Sequence, residues 1–90
     1  MKKAAVVMGS ASDLPLAKEA IKTLAAFGVP QVTRVLSAHR TPDEAAAFAK
    51  GAEAEEIGVI IAFAGKAAHL AGAMAANSIV PVIGVPVSGK

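Results

Sequence analysis

Cysteine is absent from this 90-residue chain, and so are tryptophan and tyrosine. Without thiols there can be no disulfide, no thiolate metal site and no cysteine nucleophile, and a reducing compartment is compatible. Aromatic residues make up only 3% and no basic run exceeds Lys2-Lys3, so base-stacking nucleic-acid recognition lacks its usual parts. Charge is sparse at 18%, with 9 Lys+Arg against 7 Asp+Glu and a formal net charge of +2. No apolar stretch approaches the ~20 residues that span a bilayer. The opening run Ala4–Met8 ends at Gly9, short of the ~7–15 residues of a signal-peptide core. The chain is therefore expected to be soluble and cytoplasmic, with no nucleic-acid or membrane partner.

What the sequence does contain is apolar and small. Hydrophobic residues reach 54%, alanine foremost among them, which argues against disorder. Short apolar runs alternate with amphipathic stretches, the pattern of βαβ units on a parallel sheet. Residues 1–90 are expected to form a single α/β domain. Ala4–Met8 is the first strand, and Ser12 or Asp13 can cap a helix with Pro15 in its first turn. Leu16, Ala20, Leu24 and Phe27 follow helical spacing, with Gly28 at the C-terminal cap position. Val32–Leu36, more polar, reads as an edge strand. Thr41-Pro42-Asp43-Glu44 is a capping box opening a helix that runs to about Glu56 and is broken by Gly58. Val59–Ala64 reads as a central strand, Lys66–Asn77 as a helix, and Val82–Val85 as the core of a last strand bounded by prolines.

Right-handed crossovers then give strand order 2-1-3-4, with the first helix on one face and the other two opposite. This is a flavodoxin-like, three-layer arrangement of four parallel strands and three helices. It leaves strands three and four bare on the first helix's side, so the chain is expected to associate with copies of itself or to belong to something longer.

Ligands in such sheets bind beyond the carboxyl ends of the strands, where the strand order reverses. Three loops meet there: Gly9–Asp13, Ser37–Arg40 and Ala64–Lys66. The first has the small residues of a phosphate loop but neither a G-x-G-x-x-G nor a Walker pattern, and on pattern alone a plain capped turn explains it slightly better. In the second, Arg40 offers a planar fork suited to phosphate, Ser37 a hydroxyl and His39 an imidazole, a group that titrates near neutral pH. A solvated surface loop is the competing explanation. His69 reads as a partly exposed helical residue. Two histidines without cysteine or an H-E-x-x-H spacing give no zinc site, so no metal is expected.

At these same loops the sequence resembles the PurE family, the N5-carboxyaminoimidazole ribonucleotide mutases of purine biosynthesis. The motifs are Val7-Met8-Gly9-Ser10-Ala11-Ser12-Asp13, Ser37-Ala38-His39-Arg40-Thr41-Pro42, Ala67-Ala68-His69-Leu70 and Pro81-Val82-Ile83-Gly84-Val85-Pro86-Val87. Arg40 resembles the mutase class, since the related direct carboxylases of animals carry lysine there. The resemblance implies that Ser12, Ser37 and Arg40 hold a ribonucleotide phosphate and Asp13 the ribose hydroxyls. It implies that Ser10, Ala64, Gly65 and Leu70 line the imidazole and carboxylate pocket, and that His39 is the catalytic proton carrier. The reaction so implied moves a carboxylate from N5 to C4 of the imidazole with no cofactor.

Three positions depart from the family pattern: Phe63 and Lys66, which replace glycines of its substrate loop, and Ala71, which replaces a proline and matters less. The family also continues past the end of this sequence with a further strand and C-terminal helices, and it assembles as an octamer. A truncated or engineered unit that keeps the fold, and phosphate binding, without turnover is the alternative to an active mutase. A generic flavodoxin-like binding or signalling module fits less well, because stacking aromatics and acidic strand ends are both missing.

Overall fold

A computed structural model of the chain describes residues 1–65 and 69–87. Four strands form one parallel sheet in the order β2-β1-β3-β4: β1 (Lys3–Met8), β2 (Gln31–Val35), β3 (Ile57–Gly65) and β4 (Val82–Val87). The crossovers are α1 (Leu14–Ala26), α2 (Pro42–Gly51) and α3 (His69–Asn77), and a 3-10 turn at Ala11–Asp13 leads into α1. The expected strand order is the observed one, and β2 sits at an edge.

The two faces of the sheet follow from side-chain alternation along β1 and β3. Ala5, Val7, Ile60 and Ala62 face Ala45 and Ala49 of α2 and Leu70 and Met74 of α3. Val6, Met8 and Phe63 face Ala17 of α1, with Ala20, Ile21 and Leu24 around them. Alanines on the helices allow close approach to the sheet. At Gly84 a Cβ would stand 3.0 Å from the Cβ of Ala71, so α3 leaves no room there for a side chain on β4.

Helix α1 is turned relative to the expected stripe. Its buried line is Ala17, Ala20, Ile21 and Leu24, whereas Leu16 and Phe27 lie at the rim and Phe27 is 78% exposed. The i, i+4 series beginning at Leu16 drifts round the helix and only its middle members meet the sheet. The bare region is also smaller than expected. Phe63 closes the middle of the α1 face of β3, and exposure concentrates on β4, where Ile83 is 52% exposed. Pro86 lies within β4 rather than ending it, opposite Ala64, which an edge strand permits.

Two helix ends use the same backbone device. After α1, the Val29 N–H donates to Leu24 O (2.9 Å) and the Gly28 N–H to Ala25 O (3.0 Å), with Gly28 at φ 71°. After α2, the Ile57 N–H donates to Ala52 O (3.0 Å) and the Glu56 N–H to Glu53 O (3.0 Å), with Glu56 at φ 61°. Both are Schellman closures, which need a left-handed residue. Regular helix in α2 thus ends at Gly51, earlier than expected, and turns carry the chain to Glu56. Gly58 does not break a helix. It sits at the start of β3, where the pairing with β1 slips by one residue, and this bulge lets Ile57 and Ile60 share a face.

Left-handed backbone costs a side-chain-bearing residue ~1–2 kcal/mol, partly offset by glycine's greater entropy when unfolded. Glu56→Gly is expected to stabilise the fold by about 0.5–1 kcal/mol, read as a higher urea midpoint at unchanged m-value.

Candidate active site

The strand order reverses between β1 and β3, and two hydrogen bonds fix the loops that leave this rim. The Gly9 N–H donates to Phe63 O (3.1 Å), tying the end of β1 to β3, and the Leu36 N–H donates to Met8 O (2.9 Å), tying β2 to β1. The loops after β1 and β2, the end of β3 and the start of α3 therefore surround one cleft of about 300 Å³.

The loop after β1 is organised by Ser10. Its Oγ accepts from the Ser12 N–H (3.2 Å) and lies 2.9 Å from Ser12 Oγ, capping the 3-10 turn. Asp13 stands at the N-cap position of α1, as one of the two expected residues, but makes no side-chain capping bond, and the hydroxyl cap belongs to Ser10 on the 3-10 turn before it. Asp13 is nevertheless buried, 4% exposed, and contributes to the cleft wall.

The loop after β2 is organised by Ser37 and Thr41. Ser37 Oγ accepts from the His39 N–H (3.2 Å) and the Arg40 N–H (3.0 Å). Thr41 Oγ1 accepts from the Ser37 N–H (2.9 Å) and donates to Ser37 O (3.2 Å). The expected capping box does not form. Thr41 makes no side-chain cap to α2 because its hydroxyl is turned back to the preceding loop, which a ring of four residues closes more tightly. With their backbone donors held internally, His39 and Arg40 project exposed side chains from a fixed turn.

Across the cleft, His69 at the start of α3 meets His39. His69 Nδ1 is 3.2 Å from His39 Nε2, with ring centroids 5.1 Å apart and planes inclined at 58°. One of the two nitrogens must carry the hydrogen and the other accept it. His69 was expected to be a helical residue on its own, and this pairing is what sequence reasoning missed. Thirty positions separate the two histidines, and only their places on adjoining strand-end loops could have linked them.

Of the residues expected at the site, Ser10, Asp13, Ser37, His39, Ala64, Gly65 and Leu70 border the cleft with His69. Arg40 borders an adjoining hollow of about 390 Å³ that shares Gly9, Ser10 and Ser37. Ser12 lines neither, its hydroxyl being engaged with Ser10. Phe63 lies, as the expected strand placed it, in β3, with its ring buried against Val6, Met8 and Ala17, and stays out of the cleft. Lys66, Ala67 and Ala68 lie outside the described residues. Among the described residues no group of three or more metal-ligating acids, histidines or cysteines occurs, and no helix is long and apolar enough to cross a membrane.

Replacing Ser37 by alanine removes the acceptor of two amides at once. Partial exposure lets water take over, so the expected cost is about 1 kcal/mol. The specific readout is amide hydrogen exchange, which should accelerate at His39 and Arg40 and leave β1 unchanged.

Comparison with known proteins agrees with this geometry. The family model described as AIR carboxylase matches residues 3–90. An N5-carboxyaminoimidazole ribonucleotide mutase of Pyrococcus horikoshii is 54% identical over 85 residues, covering 94% of this chain and 48% of that protein. The enzyme of the same name from Brucella melitensis is 55% identical over 86 residues, covering 96% of this chain and 53% of that protein. The crystal structure of Treponema denticola PurE superposes with a TM-score of 0.88 at 28% identity, covering 96% of this chain and 55% of that one. The chain spans about half the length of the curated relatives it matches. With its sheet order, its strand-end loops and nearly its whole length accounted for by these matches, the chain belongs to the AIR carboxylase family.

Proposed function

We propose that this chain carries the active-site core of an N5-carboxyaminoimidazole ribonucleotide mutase of purine biosynthesis, with His39 as the proton carrier. The observation that carries the reading is the imidazole pair, His39 Nε2 and His69 Nδ1 at 3.2 Å, at the mouth of a cleft otherwise lined by small residues and hydroxyls. The names of the relatives supply the substrate, and the two adjoining hollows supply room for its two ends.

In this reading the ribonucleotide phosphate sits in the hollow beside Arg40, whose planar fork suits it, with Ser10 and Ser37 beneath. Ser12 supports that seat through Ser10 rather than by direct contact. Asp13 meets the ribose hydroxyls, and the imidazole ring and its carboxylate lie against Ala64, Gly65 and Leu70. A Cβ at Gly9 would meet its nearest neighbours only at 4.0 Å, so internal packing does not explain that glycine; a ligand resting on the backbone there would.

The chemistry needs one proton to be given and one removed. Protonated His39 delivers a proton to N5 as the N5–carboxylate bond breaks, releasing carbon dioxide and the neutral amine. C4 of the ring then attacks the carbon dioxide, and His39, now neutral, takes the proton from C4, so the cycle returns to its start with no net proton change. Imidazole suits both directions because one ring nitrogen can give a proton and, once neutral, accept one. His69, whose Nδ1 lies 3.2 Å from His39 Nε2, positions the ring. No metal and no cofactor take part. Self-association belongs to the same reading: exposed Ile83 on the edge strand calls for a second copy, and a light-scattering mass above that of one chain is the expected outcome.

The test is conversion of carboxyaminoimidazole ribonucleotide by the chain and by its variants. His39→Asn is expected to lower kcat by about 10²–10⁴-fold, the range of a lost acid–base group. Arg40→Ala is expected to raise KM at least tenfold with kcat less affected. Equal rates for the chain and His39→Asn would end the catalytic reading and leave a fold-only unit.

A further inference from the structure

We propose that the His39–His69 pair is also a binding site for a divalent transition-metal ion, Zn²⁺ being the representative, held by His39 Nε2 and His69 Nδ1. The two nitrogens stand 3.2 Å apart. Two imidazole nitrogens on one tetrahedral zinc, each ~2.0–2.1 Å from it, are about 3.3–3.4 Å apart. The pair is therefore already close to the spacing that an ion would impose. The rings are tilted rather than coplanar, inclined at 58°, and both residues are exposed to solvent, from which an ion would arrive.

The hydrogen atom now shared between the rings is the competitor. For two neutral imidazoles it moves from the facing nitrogen to the far nitrogen of the same ring, leaving two lone pairs on the ion and releasing no proton. Two coordination positions remain for water or an anion, since no third histidine, cysteine or acid joins the pair among the described residues. The start of α3 opposes a cation through its helix dipole. Together these set the expected affinity in the micromolar rather than the nanomolar range. Imidazole donors select zinc, nickel and copper, and leave magnesium and calcium, which prefer oxygen, unbound. Where the mutase reading holds, an ion on His39 Nε2 occupies the atom that must carry the proton, so the site would be inhibitory.

The experiment is calorimetric titration of the substrate-free chain with zinc chloride, with magnesium chloride as control, together with long-range ¹H–¹⁵N spectra of the imidazoles. One zinc per chain is expected, with shifts at His39 Nε2 and His69 Nδ1 and binding weakened about tenfold or more in both His39→Asn and His69→Asn. Far-ultraviolet circular dichroism confirms that each variant is folded. Absence of zinc binding, equal binding by folded variants, or shifts confined to other nitrogens would overturn the proposal. Because no substrate enters the measurement, that failure is distinguishable from failure of the mutase assay.

Discussion

Burial of β1 on both faces is the constraint on which the rest of the structure depends. Ala4–Met8 are between 0% and 1% exposed, paired on both sides by parallel neighbours and covered above and below by helices. A strand in that position can shift neither its register nor its facing without exposing its entire apolar set. Because every strand is parallel, all the loops that follow them leave from one rim, and because β2 and β3 lie on opposite sides of β1, the rim has a gap between diverging crossovers. The cleft is a consequence of that pairing and not of any residue within it.

Hydroxyls bonded to nearby backbone shape the loops at this rim, Ser10 by capping the 3-10 turn and Ser37 and Thr41 within the loop after β2. Ser10, Ser37 and Thr41 each bond to backbone groups within four positions, so the turns are rigid without bulky side chains. Small walls leave space for a ligand, and His39, Arg40 and His69 are among the exposed polar residues at the rim. The arrangement separates labour: serine and threonine hold the backbone, while the imidazoles and the guanidinium face whatever enters.

Much of the fold was legible in the sequence because its signals are local. Apolar runs mark the strands, Gly28 marks the end of α1, and the rule of right-handed crossovers leaves few sheet orders to choose between. Misreadings arose where two local signals competed for the same residue. Thr41 and Glu44 have the pattern of a capping box, yet the Thr41 hydroxyl prefers the loop that β2 delivers beside it. Glu56 carries a left-handed conformation that its residue type does not announce, since the Schellman closure needs it wherever Ile57 is to be buried. Phe63 stood out as a departure from the family's substrate loop; it lies in the strand expected over Val59–Ala64 and faces away from the cleft, because alternation along β3 sends neighbouring side chains to opposite faces.

The order of elements, the parallel sheet and the candidate loops were determined by the sequence alone, since periodicity, turn residues and chain handedness act over a few residues or a single crossover. The family resemblance rests on the same short motifs. The meeting of His39 with His69 was decided only by tertiary structure, and so were the division of the rim into two hollows and the withdrawal of Phe63 from it. Each depends on the register between β1 and β3 and on where α3 begins, distances set by packing across the sheet, which no spacing along the chain encodes.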